Sequence, residues 1–343
     1  MQTGTSNAMI LPEILSLSIP RLEPLAKLRQ KLGNNKAHRH IRQTQVDALF
    51  HKTRGAAPLE GKQAVFSQIL SALLRATLVA LLVAIPALFL PWVAKDTAQI
   101  VVIIALLLSL LTFIEYFGRY PSFVEFRFAP PYNRLKFGAA ALVVITLSLI
   151  ARGHVDPSPL TMILTYIGHS MGHAMEFPYS PVQLFVLMLP SDASPDLVDA
   201  MRTAAGFAYV VSILMVFIFV ILVRMMAWPM RYGAFNVWIN LPLFDPTRGG
   251  DIVDRLKRDS GLNIVLGVLL PFLIPAVIKA ASFIIDPISI ESSQTLIWIT
   301  TVWAILPASI LMRGIALLRV AELIEAKRKR VYAQAEAESI QEA

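Results

Sequence analysis

The sequence predicts an all-α, polytopic membrane protein with a bundle of about six transmembrane helices. Two observations lead to this fold class. First, 56% of the 343 residues are hydrophobic and only 16% are charged, with a mean hydropathy of +0.61, whereas soluble domains carry about 25% charged residues. Second, the chain contains six long apolar runs, and about 20 such residues are needed to cross a bilayer.

The apolar runs follow one another with polar segments between them. The third run is the shortest and is expected to begin a little earlier, near Leu135. Pro271, Pro275 and Pro307 lie inside the last two runs, where neighbouring helices can satisfy the carbonyl groups that a proline leaves unbonded. The predicted spans cover about residues 65–93, 100–117, 137–151, 204–228, 262–284 and 296–318.

Lysine and arginine are distributed very unequally between alternate loops. Of the 31 such residues, 27 lie on one side of the six spans and three on the other, and Lys279 lies within the fifth span. The positive-inside rule therefore predicts that both termini are cytoplasmic. Because no cleaved targeting segment is evident and the chain has no cysteine, we expect a bacterial cytoplasmic (inner) membrane location.

This topology divides the chain into three regions. Residues 1–62 form a basic, amphipathic cytoplasmic segment with N-terminal helices, and residues 319–343 form a charged cytoplasmic C-terminal helix. The six-helix domain at 63–318 carries an extracytoplasmic amphipathic helical cap at 152–203 and inner loops at 118–136 and 229–260. Basic amphipathic helices lie on anionic membrane faces, so we expect anionic lipid as a partner at the cytoplasmic face, and no nucleic acid.

The candidate site lies in the outer cap. His169, His173 and Glu176 are spaced at i, i+4 and i+7, so all three point to the same side of a helix. This donor set fits a metal ion, although it is also compatible with the solvated face of a surface helix. Ser170 lies in a formal G-x-S-x-G match, but its flanks are helical and no histidine follows His173, so we assign no catalytic residue.

A second apolar run in the cap, at 182–190, is too short to span a membrane. It is compatible with either a re-entrant helix or an interfacial helix, and the sequence does not decide between the two.

Other candidate residues carry charge inside the spans or at their inner ends. Ionisable groups in the hydrocarbon region are costly and therefore point to function, which singles out Glu115 and Lys279. The inner loops combine arginine and tryptophan, which favours an interaction surface. Its candidate residues are Arg119, Arg127, Arg134, Trp228, Arg231 and Trp238.

These observations favour a non-enzymatic role. The chain lacks phosphate-binding glycine motifs, and without cysteine it has no thiolate chemistry. We therefore predict an accessory, scaffold or assembly subunit of a membrane complex, whose partners are lipids and other membrane proteins or a second copy of the chain. Two alternatives stay open: a small-solute or ion transporter or channel using Glu115 and Lys279, and a metal-binding protein or enzyme using the outer histidines.

Overall fold

The secondary-structure elements of the described residues are all helices. The computed structural model describes residues 65–90, 95–118, 120–226, 228–230, 235–245, 249–282 and 292–342, and these ranges contain no strand. The predicted N-terminal segment at 1–62 lies outside them. The helices are α1 (Val65–Phe89), α2 (Lys95–Phe117), α3 (Tyr132–Gly153), α4 (Pro159–Met175), α5 (Pro181–Leu187), α6 (Pro195–Met225), α7 (Val237–Asn240), α8 (Ile252–Ala281) and α9 (Ser293–Glu342).

Six of the described helices, α1, α2, α3, α6, α8 and α9, are long and apolar enough to cross a membrane. The prediction of an all-helical chain with six such helices is thereby confirmed. Two of them begin well before the predicted apolar runs, because side-chain caps start a helix ahead of its apolar part. The Ser194 hydroxyl accepts a hydrogen bond from the Leu197 N–H at 3.2 Å, and the Asp251 carboxylate accepts one from the Val253 N–H at 2.7 Å.

Two groups of contacts define the ends of the bundle. At the tail end, residues 120–131 and the described residues 228–230 and 235–245 meet the later part of α9. There the Phe126 N–H donates to the Asn240 carbonyl at 2.7 Å, and Arg319 Nε donates to the Trp228 carbonyl at 3.3 Å. At the cap end, α4 and α5 pack against α3, α6 and α8.

The most extensive helix contact is between α8 and α9, and small residues make it possible. A Cβ added to Gly267 would lie 2.6 Å from the Cβ of Leu311, and one added to Gly314 would lie 2.7 Å from Cγ1 of Ile264. The Ser260 hydroxyl also donates to the Gly314 carbonyl at 2.8 Å. Small residues and interhelical hydrogen bonds are typical of helix packing in membranes, where lipid is as apolar as the side chains.

Trp303 of α9 joins four helices in the interior. Its indole Nε1 donates to the Pro271 carbonyl of α8 at 3.1 Å, which is the carbonyl left without a helical partner because Pro275 has no N–H. Its ring stacks on Phe185 of α5 and on Tyr209 of α6, with centroid distances of 4.2 and 5.8 Å.

The contact between Trp303 and Phe185 also places the short helix α5. Trp303 lies about 15 Å along the helix axis from the start of α9, at a rise of 1.5 Å per residue. Val182 and Phe185 are both fully buried. The part of the run at 182–190 around these two residues is therefore buried against α6, α8 and α9.

Candidate functional site

Helix α4 buries its small and polar residues more deeply than its large apolar ones. It begins at a capping box, in which the Ser158 hydroxyl accepts from the Thr161 N–H at 3.3 Å and the Thr161 hydroxyl accepts from the Ser158 N–H at 2.9 Å. Its buried residues are Thr161, Gly168 and Gly172. Among its apolar residues, Leu160 and Ile163 are each 57% exposed, whereas Leu164, Met171 and Met175 are partly buried against the core.

Glycines bring α4 into backbone contact with α6. A Cβ added to Gly206 would lie 2.3 Å from the Cα of Gly172, and one added to Gly172 would lie 2.8 Å from the Arg202 carbonyl. Real Cβ atoms do not approach other atoms so closely, so only glycine fits at this crossing. The crossing sets His169 and His173 beside Asp199 and Arg202 of α6.

His169, His173 and Asp199 form a cluster of metal-ligand type at this crossing. One ring nitrogen from each histidine and one carboxylate oxygen of Asp199 all lie within 4.8 Å of one another. Nδ1 of His169 lies 3.5 Å from Oδ2 of Asp199, and the two imidazole centroids are 4.3 Å apart. The side chains of His169 and Asp199 are about half exposed, so water and dissolved ions can reach the cluster.

Glu176, the third donor of the predicted set, is engaged elsewhere. Its carboxylate accepts a hydrogen bond from Nε of Arg202. The same guanidinium donates through NH1 to Oδ1 of Asp199 at 3.1 Å. The structure therefore keeps the predicted histidine pair together, adds Asp199 as a neighbouring donor, and uses Glu176 to balance the charge of Arg202.

A cavity of about 520 Å³ lies beside this cluster, between the cap-end parts of α3, α4, α6 and α9. Asp199 lies on its wall, so the cavity and the cluster share a carboxylate. The deeper wall is apolar and includes Leu147 and Ile297. The other polar residues on the wall are His154, Thr165, Asp196, Thr203 and Ser293.

The two charged residues singled out inside the spans both bind backbone groups. The Glu115 carboxylate is buried and accepts from the N–H groups of Ser122 at 2.9 and 3.0 Å, of Val124 at 3.3 Å and of Phe123 at 3.4 Å. Lys279 Nζ donates to the Leu189 carbonyl at 3.0 Å, just beyond α5. Each group therefore has a structural partner that accounts for its position.

The predicted interaction residues are divided between the interior and the surface. Trp228 is only 2% exposed, and its indole donates to the Ala129 carbonyl at 3.2 Å. Arg127 donates to the Glu115 carbonyl and, at 2.9 Å, to the Gly118 carbonyl. Arg134 is exposed. Arg119 and Arg231 lie outside the described residues, as does the side chain of Trp238.

The tail end also contains a buried ion pair that the sequence analysis did not identify. Arg313 of α9 donates to both oxygens of Glu125, from Nε at 2.6 Å and from NH2 at 2.9 Å. The side chains are 27% and 7% exposed, respectively. The only signal in the sequence is that Arg313 interrupts the sixth apolar run. No sequence pattern links Arg313 to Glu125, which lies 188 positions earlier.

Two features of the described residues could therefore bind a ligand or a partner. The cap-end cluster of His169, His173 and Asp199 offers two imidazoles and a carboxylate to a cation, beside a cavity. The tail end offers a folded, charged surface continued by α9. No protein-family model matches the chain, and neither the curated proteins nor the solved structures contain a match to it.

Proposed function

We propose that this is a multi-pass protein of the bacterial cytoplasmic membrane that acts without catalysis, by assembling with another membrane protein. The observation that carries the proposal is the reach of α9. Its 50 residues correspond to about 75 Å of helix, whereas the hydrocarbon core of a bilayer is about 30 Å thick. Arg328 of α9 still pairs with Asp251 at the start of α8, so the last residues of α9, from Lys329 to Glu342, extend past the tail end of the bundle.

The projecting part of α9 has the character of a contact surface. The helix is anchored as far as Ile324, which is buried, whereas every side chain from Lys329 to Ala337 is exposed. Val331 and Tyr332 are 41% and 57% exposed on this charged segment. Exposed aromatic side chains such as that of Tyr332 are enriched in protein interfaces, which favours a protein partner at this position.

The transporter alternative has less support. Its two candidate residues, Glu115 and Lys279, each bind backbone groups of neighbouring segments. Those hydrogen bonds explain why ionisable groups are tolerated at these positions without any ion passing them.

Orientation is the first testable part of the proposal. We expect the tail end to face the cytoplasm, where its basic residues can contact anionic lipid. Because the chain has no cysteine, single cysteines can be introduced in a clean background at two exposed positions, Ser170→Cys and Ala335→Cys. A membrane-impermeant maleimide applied to cells with a permeable outer layer should label Ser170→Cys directly and Ala335→Cys only after lysis. The reverse pattern would show that the orientation is wrong.

The contact surface on the α9 tail can be tested with matched variants. In a mild detergent, the wild-type chain is expected to purify with a second protein, or a second copy, in a fixed ratio. Val331→Asp combined with Tyr332→Ser should weaken that association by about tenfold or more, as loss of central contacts does. Ala333→Asp lies across the same helix, is equally exposed, and should leave it unchanged.

Mass measurement in solution gives the readout for this comparison, and the melting temperature of each variant shows that the bundle is intact. The proposal is contradicted if the wild-type chain runs as a lone, stable monomer. It is equally contradicted if the paired variant and Ala333→Asp retain the partner to the same extent.

A further inference from the structure

We propose that the cap end binds a zinc ion through His169, His173 and Asp199. This inference concerns α4 and α6 alone and stands independently of the role assigned to the tail of α9. It replaces the donor set expected from sequence spacing, because Asp199 and not Glu176 supplies the carboxylate.

The donor chemistry fits zinc. Imidazole nitrogen is a ligand of borderline softness that suits Zn²⁺, and zinc sites also accept a carboxylate oxygen. Mg²⁺ and Ca²⁺ prefer oxygen ligands throughout, so the two imidazoles favour zinc. The candidate ligand atoms lie within 4.8 Å of one another, while ligands around a tetrahedral zinc are roughly 3.3 Å apart for bonds of about 2.0 Å. Small rotations of three partly exposed side chains close that gap without moving the backbone.

The backbone segments that carry the three ligands are already held close together. His169 and His173 are one turn apart on α4, and Gly172 and Gly206 hold that turn against α6. The glycine contact fixes the distance between the two helices, so Asp199 cannot drift from the histidines. A site assembled on packed helices loses little entropy when the ion binds.

Arg202 and Glu176 complete the surroundings of the site. Arg202 donates to Oδ1 of Asp199 at 3.1 Å, which leaves Oδ2, the oxygen 3.5 Å from His169, turned toward the histidines. Hydrogen bonds of this kind orient metal ligands and tune affinity. Glu176 binds Arg202 in turn, so the guanidinium charge is compensated and does not oppose a cation.

Three protein ligands leave a fourth position open on a tetrahedral zinc. Asp199 also lies on the wall of the cavity of about 520 Å³, so water or a small ligand can approach the ion from that side. The ion itself would join α4 to α6 across their crossing.

Zinc titration of purified protein tests the proposal. The full chain, carrying an affinity tag without histidine, is titrated with ZnCl₂ in the presence of a fluorescent chelator, with MgCl₂ as the comparison ion. We expect one zinc per chain and no competition from magnesium. His169→Ala, His173→Ala and Asp199→Asn should each weaken binding by about tenfold or more.

Two control variants separate this site from its alternatives. His154→Ala removes the other described histidine of the cap end, which lines the cavity, and should bind zinc as the wild type does. Glu176→Gln removes the donor expected from spacing alone together with the charge that compensates Arg202, and should weaken binding by clearly less than about tenfold. Zinc should also raise the melting temperature of the wild type and of both controls, and not that of His169→Ala. That second readout shows that a non-binding variant is folded.

Substitution of cobalt for zinc reports the coordination directly, since a tetrahedral Co²⁺ site gives a visible absorption band that should vanish in Asp199→Asn. Absence of saturable zinc binding by the wild type overturns the proposal. It is also overturned if His154→Ala or Glu176→Gln weakens binding as much as His169→Ala does.

Discussion

Trp303→Ala is expected to destabilise the protein by about 3–5 kcal/mol, the usual cost of removing a buried aromatic side chain. Trp303 is only 2% exposed, and its loss removes the stacking on Phe185 and Tyr209 together with the hydrogen bond to the Pro271 carbonyl. That carbonyl would then lie in the bundle interior with no donor, because proline at 275 cannot provide one.

Thermal unfolding in detergent, followed by far-ultraviolet circular dichroism, measures this effect. Trp303→Phe keeps a ring between its neighbours and should lose about 1–2 kcal/mol, mainly through the missing indole N–H. Val302→Ala, one position away and 54% exposed, should leave the unfolding temperature nearly unchanged. Equal unfolding temperatures for Trp303→Ala and Val302→Ala would show that Trp303 does not hold these helices together.

The contacts of Trp303 also show where sequence reasoning about the fold reaches its limit. Hydropathy identifies six apolar helices because each contains a continuous apolar run long enough to cross a bilayer. It does not place α5, because seven residues show no useful periodicity and the partner of Phe185 lies more than a hundred positions later. Only the folded chain brings Phe185 against Trp303, and this contact buries one side of the short helix.

The candidate site was predictable in part for a similar reason. A helical repeat of 3.6 residues is enough to put His169 and His173 on the same side of α4. Asp199 is missed because it is on another helix, and its position depends on the contact between Gly172 and Gly206. The paired glycines of α4 were the only signal of a close approach, and they do not identify the approaching segment.

Aromatic residues near the ends of spans show a further limit. Trp228 was predicted as part of an interaction surface because tryptophan is common at membrane interfaces. In the structure its ring lies 5.4 Å from that of Phe126 and 5.2 Å from that of Phe219, and its N–H binds the Ala129 carbonyl. Composition records the residue type, whereas burial depends on how the two tail-end loops fold onto each other.

The same tail-end loops depend on the ion pair between Glu125 and Arg313. We expect Arg313→Ala to cost about 3 kcal/mol, since removing one partner of a buried pair leaves the other charge uncompensated. The value lies at the low end for buried pairs because the Arg313 side chain is 27% exposed, whereas that of Glu125 is only 7% exposed. The carboxylate would lose two charge-assisted hydrogen bonds at once.

A double-mutant cycle distinguishes an unpaired charge from simple loss of packing. Glu125→Gln combined with Arg313→Ala removes both charges of the pair, so it should be more stable than Arg313→Ala alone by about 1 kcal/mol or more. Asp156→Asn breaks an exposed pair, in which the Asp156 side chain is 69% exposed and that of Arg152 is 42% exposed, and it should cost at most about 1 kcal/mol.

Unfolding temperatures that fall equally in Arg313→Ala and Asp156→Asn would mean that the Glu125 carboxylate reaches water. Additive effects in the double variant would mean that Glu125 and Arg313 stabilise the tail end separately. A recovery in the double variant would instead identify the pair as the link that fixes the first tail-end loop to α9, the helix on which the proposed contact surface lies.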